Sequence, residues 1–198
     1  MMDVLELIKS RRTIRRYQDK PVPQVMVKKI IEAGIWGPSL LAPGFQPWVF
    51  IPLVDQALIK RISGIMLERS KSAGVLGRRI LTLSAETIAN AKTVIAVYNC
   101  SCLAKFTEKI TKPYVKYAKA AELSAISAAI QNMVLTAESF GIGSSWHDTP
   151  LFCEKGINQL LNTDNKLVAV LTFGYPAETG QRARRKPLAE AVHYQKFA

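Results

Sequence analysis

The sequence predicts an α+β fold in which a small sheet is wrapped by helices, and three observations carry the prediction. Two runs, Thr-Val-Ile-Ala-Val-Tyr at 93–98 and Lys-Leu-Val-Ala-Val-Leu-Thr-Phe at 166–173, are β-branched and apolar enough to be buried strands. A stretch from 114 to 140, rich in Ala, Ser, Ile and Leu, is apolar nearly all round in its second half, as a central buried helix is. Strands and helices then alternate irregularly, which suits a layered α+β arrangement. A length of 198 residues supports one well-buried core, and no linker or internal repeat divides it.

The elements follow in order. Residues 3–9 fit a short helix with Val4, Leu5 and Ile8 on one side. The basic run from Arg11 to Tyr17 reads as extended. Pro21 and Pro23 open a helix that carries Met26, Val27, Ile30, Ile31 and Ala33 at helical spacing and ends at Gly34 or Gly37-Pro38. Residues 48–54 read as a strand. Asp55 is a good N-cap for a helix to Leu67, followed by a Gly, Ser and basic segment to Arg79. A further helix to Ala91 leads into the strand at 93–98, and residues 99–113 read as irregular. Gly141 and Gly143 stop the long helix as a C-cap and a turn. Thr149-Pro150 resembles an N-cap with proline at the first helical position, opening a helix to Leu161. After the last strand, Gly174-Tyr175-Pro176 closes the core, and residues 177–198 look like an arm.

Composition narrows the class. Apolar residues make up 48% and charged residues 21%, as in an ordinary soluble globular protein. No apolar run is long enough to span a bilayer, and the N-terminus lacks the apolar segment of a secretion signal, so a cytoplasmic protein with no membrane partner is expected. Cys100, Cys102 and Cys153 match no zinc or iron–sulfur spacing and read as idle thiols, although Cys100-Ser101-Cys102 is a conceivable redox pair. The net charge is +12, and basic residues cluster at 9–16 and 182–186. Attraction to nucleic acid is one reading of that charge. No nucleic-acid module accompanies it, however, and the two clusters could equally converge on one phosphorylated ligand.

Within the first cluster, Arg11-Arg12-Thr13-Ile14-Arg15-Arg16, followed by Tyr17, packs four guanidinium groups and a hydroxyl into six residues. If extended, it projects Arg11, Thr13 and Arg15 on one face, with Arg16 turned the other way. Guanidinium forks flanking a hydroxyl suit a phosphate monoester. A solvated basic strand is the plainer reading. Three further segments line up behind it: Gly37-Pro38-Ser39 with Gln46-Pro47-Trp48, then Gly141-Ile142-Gly143-Ser144-Ser145-Trp146, then Gly174-Tyr175-Pro176 with Arg185-Lys186-Pro187-Leu188. In this order the four segments resemble the FMN-dependent nitroreductase family over nearly the whole chain. The loop between Ser39 and Gln46 is two residues longer than that family's pattern and lacks its asparagine.

The resemblance implies a nitroreductase-like fold with a small mixed, mainly antiparallel sheet wrapped by helices. It also implies an intertwined homodimer that exchanges residues 177–198 with the partner subunit. By position, Arg11, Arg12, Thr13 and Arg15 would hold the FMN phosphate and ribityl chain, and Arg185 with Arg184 would close on the phosphate. Pro38 and Ser39 would reach the partner's flavin, and Gln46 belongs to the same cofactor-binding set. Trp146, His147 and Asp148 would run along the ring edge. The flavin carries the redox chemistry, so no catalytic side chain and no metal is required. The expected activity is transfer of electrons from NADH or NADPH to a small nitroaromatic, quinone or similar acceptor by a ping-pong mechanism. A flavin store or sensor without turnover is the alternative. Aromatics at 99–118 read either as a substrate lid or as core.

Overall fold

Residues 3–40 and 44–194 are described by a computed structural model. Leu41, Ala42 and Pro43 of the long loop, and residues 195–198 of the arm, lie outside the described residues. In chain order the elements are α1 (Val4–Ser10), α2 (Gln24–Ile35), β1 (Trp48–Leu53), α3 (Gln56–Lys71), α4 (Val75–Asn90) and β2 (Thr93–Asn99). Then come α5 (Cys102–Ile110), α6 (Val115–Ser139), β3 (Gly143–His147), α7 (Glu154–Leu161), β4 (Lys166–Gly174) and α8 (Leu188–Ala191), with short 3-10 turns at Lys112–Tyr114 and Thr149–Cys153.

The four strands form one sheet in the order β1-β2-β4-β3, every pair antiparallel. β2 and β4, the two most apolar runs of the sequence, take the centre and are buried on both faces. Because side chains alternate along a strand, Ile95, Val97, Ala169, Leu171 and Phe173 face one core with α2 and α6. Val94, Ala96, Tyr98 and Val170 face a second core with α3, α4 and α7, and an irregularity in the β2–β4 pairing beside Tyr98 breaks the alternation and brings Leu167 to that side as well. The result is a sheet between two helical layers, as the sequence predicts. Asp55 caps α3 by accepting the Ala57 N–H at 2.8 Å, and Gly141 ends α6 at φ +68.

Several boundaries differ. Residues 99–113, expected to be irregular, contain α5. Its cap is Ser101 in a left-handed conformation (φ 56), and its first amides are satisfied by Glu122 from α6, a partner that local pattern does not reveal. α3 runs on to Lys71, and α4 begins at Val75, inside the segment read as irregular. Thr149 does not cap a helix: it opens the 3-10 turn, and α7 starts at Glu154. The arm is not without structure, since it holds the single turn α8.

The basic run 11–17 is extended, but it joins the sheet only through isolated bridges, Thr13 parallel to Ser144 and Tyr17 antiparallel to Pro176. Two of the motif glycines explain how it lies so close. A Cβ on Gly143 would sit 2.7 Å from Ile14 Cγ1, and one on Gly174 would sit 2.7 Å from Tyr17 Cδ1. Gly143, read from sequence as a turn residue, is a strand residue that makes room for Ile14.

Candidate active site

Two clefts flank Thr13 where the basic run meets the returning segment 178–185. The first, about 290 Å³, is lined by Arg11, Arg12 and Thr13 from the N-terminal side and Gln181, Arg182 and Arg185 from the C-terminal side. The second, about 480 Å³, is lined among others by Thr13, Arg15, Arg16, Leu83, Glu178 and Gly180. The two basic clusters therefore converge, one of the two readings their charge left open, and Arg185 lines the same cleft as Arg11. Arg184 is exposed and lines neither cleft. Among the described residues, the side chains of Arg11, Arg15 and Arg185 have no carboxylate or hydrogen-bond partner. With Lys9, which also lines the first cleft, five cationic side chains and a hydroxyl surround this small cleft, a donor set that fits a phosphate monoester.

Arg12 is placed differently from the expectation. Its Nη1 donates to the carbonyls of Lys9, Ser10 and Arg11 at 2.6, 2.7 and 2.9 Å. These are orphan acceptors at the end of α1, so Arg12 acts as a C-terminal clamp on that helix while lining the cleft. Arg16 shares the second cleft with Arg15 instead of facing away.

Glu178 was not singled out from sequence. Its Oε1 accepts the backbone N–H of Arg15 at 2.7 Å and of Arg16 at 3.2 Å, which ties the basic run to the returning segment. An acid four residues ahead of the basic cluster at 182–186 was the available signal.

Beneath Arg15 lies a buried polar chain. Tyr17 Oη is 2.7 Å from both the Ile14 carbonyl and Thr172 Oγ1, and Thr172 Oγ1 is 3.3 Å from His147 Nε2. The Ile14 carbonyl can only accept, so it takes the single phenol proton. Thr172 must then donate to Tyr17, and His147 must donate to Thr172 through a protonated Nε2. Burial pushes the Tyr17 phenol well above its ordinary value, with smaller opposing help from Thr172. Burial, and secondarily the charge of Arg15, lowers His147 from 6.5 to about 4. Of the ring-edge candidates, His147 is thus buried and neutral. Trp146 is 37% exposed and donates its indole N–H to Asp148 Oδ1 at 2.7 Å. Pro38, Ser39 and Gln46 are exposed and line neither cleft. Cys102, pushed up to about 11 by burial and by neighbouring Cys100, is a protonated thiol at neutral pH.

The sign of the His147 effect on stability is fixed. Its folded pKa lies below the unfolded value, so between pH 6.5 and 4 the unfolded chain binds a proton that the folded chain does not. The associated stability is complete above 6.5 and is lost on acidification, amounting to about 3 kcal/mol by pH 4. His147→Gln, which retains a donor for Thr172, is expected to flatten that acid limb in urea unfolding between pH 7 and 4.

The sequence profile of the nitroreductase family matches residues 8–175. The chain belongs to the nitroreductase family. A Methanothermobacter thermautotrophicus protein bearing the name NADH dehydrogenase/NAD(P)H nitroreductase is 31% identical, the match covering 99% of this chain and 88% of the relative. Among solved structures, a Desulfovibrio desulfuricans nitroreductase in complex with FMN is similar at 27% identity and a TM-score of 0.73, over 100% of this chain and 99% of that one. A BluB-like flavoprotein from Clostridium difficile shares the fold at 19% identity and a TM-score of 0.81, over 99% of this chain and 100% of that one.

Proposed function

We propose that this nitroreductase-family chain is an FMN-dependent oxidoreductase that takes reducing equivalents from NADH or NADPH and delivers them to a small nitroaromatic, quinone or similar acceptor. The observation that carries this reading is the cleft in which Arg11 and Thr13 face Arg182 and Arg185. FMN bound there would supply two-electron redox chemistry that no side chain provides. Arg11, Thr13 and Arg185 hold the phosphate, Arg182 adds charge, and Arg12 keeps the end of α1 in place beside them. Arg15, exposed near a histidine that stays neutral, presents its guanidinium to the second cleft. Trp146 and Asp148 would border the flavin ring, and His147, whose side chain is buried, would do so only through its backbone. The chain carries no Gly-x-Gly-x-x-Gly fingerprint, which favours donor and acceptor using one site in turn and hence ping-pong kinetics.

The active unit in this reading is a homodimer that exchanges residues 177–198. α1 and α8 bury no residue within their own chain, and Val4, Leu5, Leu188 and Tyr194 are each more than half exposed. Pro38, Ser39 and Gln46, which line neither cleft of their own chain, then serve the partner's site.

Absorption spectroscopy tests the proposal. The expected result is a flavin spectrum near one FMN per chain that bleaches anaerobically with NADH or NADPH and recovers with a quinone. Failure to bind added FMN would end this reading. Binding without bleaching by either nucleotide would make the protein a flavin carrier.

A further inference from the structure

A groove of about 260 Å³ lies between α4 and the 3-10 turn that follows β3, lined among others by Arg69, Ala73, Leu76, Gly77, Ile80 and Phe152. Arg69 apart, these residues are apolar, and Leu76 and Phe152 are 70% and 68% exposed. Both walls of the groove begin at the candidate site. On one side Leu83 borders the second cleft, and Ile80 and Leu76 precede it by three and seven residues on the same face of α4. On the other side, Trp146, His147 and Asp148 lead directly into the turn Thr149–Cys153, which carries Phe152. Gly77 leaves the floor of the groove bare. Its φ is not positive, and among the described residues the one atom a Cβ there would meet beyond the backbone of its own helix is the Ala73 Cβ, at 3.1 Å. Neither backbone geometry nor packing against another element calls for a glycine at that position; what it does is keep the groove open.

We propose, resting on the FMN-dependent reading, that this groove holds the hydrocarbon tail of the electron acceptor, which is then a quinone bearing a short isoprenoid chain. From Leu83 to Leu76 the wall runs seven residues, about 10 Å at the helical rise, the reach of two five-carbon isoprenoid units. The quinone head sits at the second cleft and the tail lies along Ile80, Leu76 and Phe152, removing apolar surface from water on both sides. NADH or NADPH supplies a hydride and solvent a proton, and the quinone leaves as the quinol with both oxygens protonated. A nitroaromatic without a tail would leave the groove empty. The partner subunit is a poorer occupant. The parts of the chain that the proposed dimer gives to the subunit contact lie with the α6 layer: Ser10 at the end of α1 donates to Glu138 Oε1 at 3.1 Å, and Leu40 and Phe45 pack beside α5 and α6. The groove belongs to the α3–α4 layer across the sheet.

Calorimetric titration of the oxidised, FMN-loaded protein with benzoquinones carrying zero, one, two or three isoprenoid units tests this. At the affinity usual per atom of a well-fitted ligand, Kd is expected to fall roughly tenfold for each of the first two units and to stay level at the third, where the groove ends. Leu76→Ser with Ile80→Ser is expected to cancel that gain while the untailed quinone binds as it does to the parent. So is Gly77→Leu, which fills the floor and favours the helix. A Kd that ignores tail length overturns the proposal. So does a gain that continues through the third unit and survives both variants, which is adsorption to any apolar surface. Weakened dimerisation of the Leu76 and Ile80 variant in sedimentation also overturns it, and gives the face to the partner subunit. Flavin absorbance, read before the titration, separates the two levels. A protein that takes up no FMN fails the proposed function and this acceptor with it, whereas a flavin-loaded protein indifferent to tail length fails the acceptor alone.

Discussion

Glu122→Ala is expected to lower folding stability by about 3–5 kcal/mol, among the largest effects of any single change in this chain. Glu122 is fully buried in the middle of a helix, where an unpartnered carboxylate would be prohibitive. One oxygen accepts the N–H groups of Leu103 and Ala104 at 2.8 and 3.0 Å, and the other accepts Asn99 Nδ2 at 3.1 Å. Asn99 in turn accepts the Ser101 N–H at 2.7 Å. The carboxylate thus occupies the N-terminus of α5, where helix amides are orphaned and the macrodipole favours negative charge. Alanine would strand two buried amides and leave a cavity. Glutamine keeps an acceptor for the amides but confronts Asn99 with a second donor, so a smaller loss of about 1–2 kcal/mol is expected. Urea midpoints at constant slope measure both. An alanine variant as stable as the parent would mean that α5 starts without this cap.

The same residue shows where sequence reading stops. β2, β4, α2 and α6 were legible because apolar periodicity is a local signal, and Asp55 was legible because its cap lies two residues away. α5 was not, since its cap comes from Glu122, some twenty residues later, and its own preceding residue adopts a left-handed conformation that nothing in Cys100-Ser101-Cys102 announces. α4 was missed at its start because Gly74 and Gly77 read as breakers, although Gly77 sits inside the helix. At the site, charge and motif order foretold that Arg11 and Thr13 would meet Arg185. The clamp made by Arg12, the tie made by Glu178 and the Tyr17–Thr172–His147 chain depend on contacts between distant segments. Alternation along an ideal strand also misplaced Arg16, because the run joins the sheet only through isolated bridges at Thr13 and Tyr17 and Arg15 and Arg16 border the same cleft.

Those placements sharpen the test of phosphate recognition. Arg11→Ala and Arg185→Ala are each expected to weaken FMN binding by about 1.5–3 kcal/mol, the scale of hydrogen bonds to charged groups, or roughly ten- to more than a hundredfold in Kd. Both guanidinium groups border the same 290 Å³ cleft without a carboxylate partner among the described residues, so removing either leaves no unpaired acid behind. Their loss is felt by the ligand and not by the fold. Riboflavin, which lacks the phosphate, is expected to bind each variant as it binds the parent. Arg12→Ala provides the contrast. Its Nη1 holds three carbonyls at the end of α1, so its loss should lower thermal stability and weaken FMN and riboflavin together. Arg16, 82% exposed at its side chain and only 3.9 Å from Glu178 at its nearest, serves as the neutral control. Fluorescence titration of apo-protein with the two flavins separates these cases. Equal losses for FMN and riboflavin in Arg11→Ala would show that Arg11 supports the chain and not the phosphate, and would transfer the anchor to Arg15 in the second cleft.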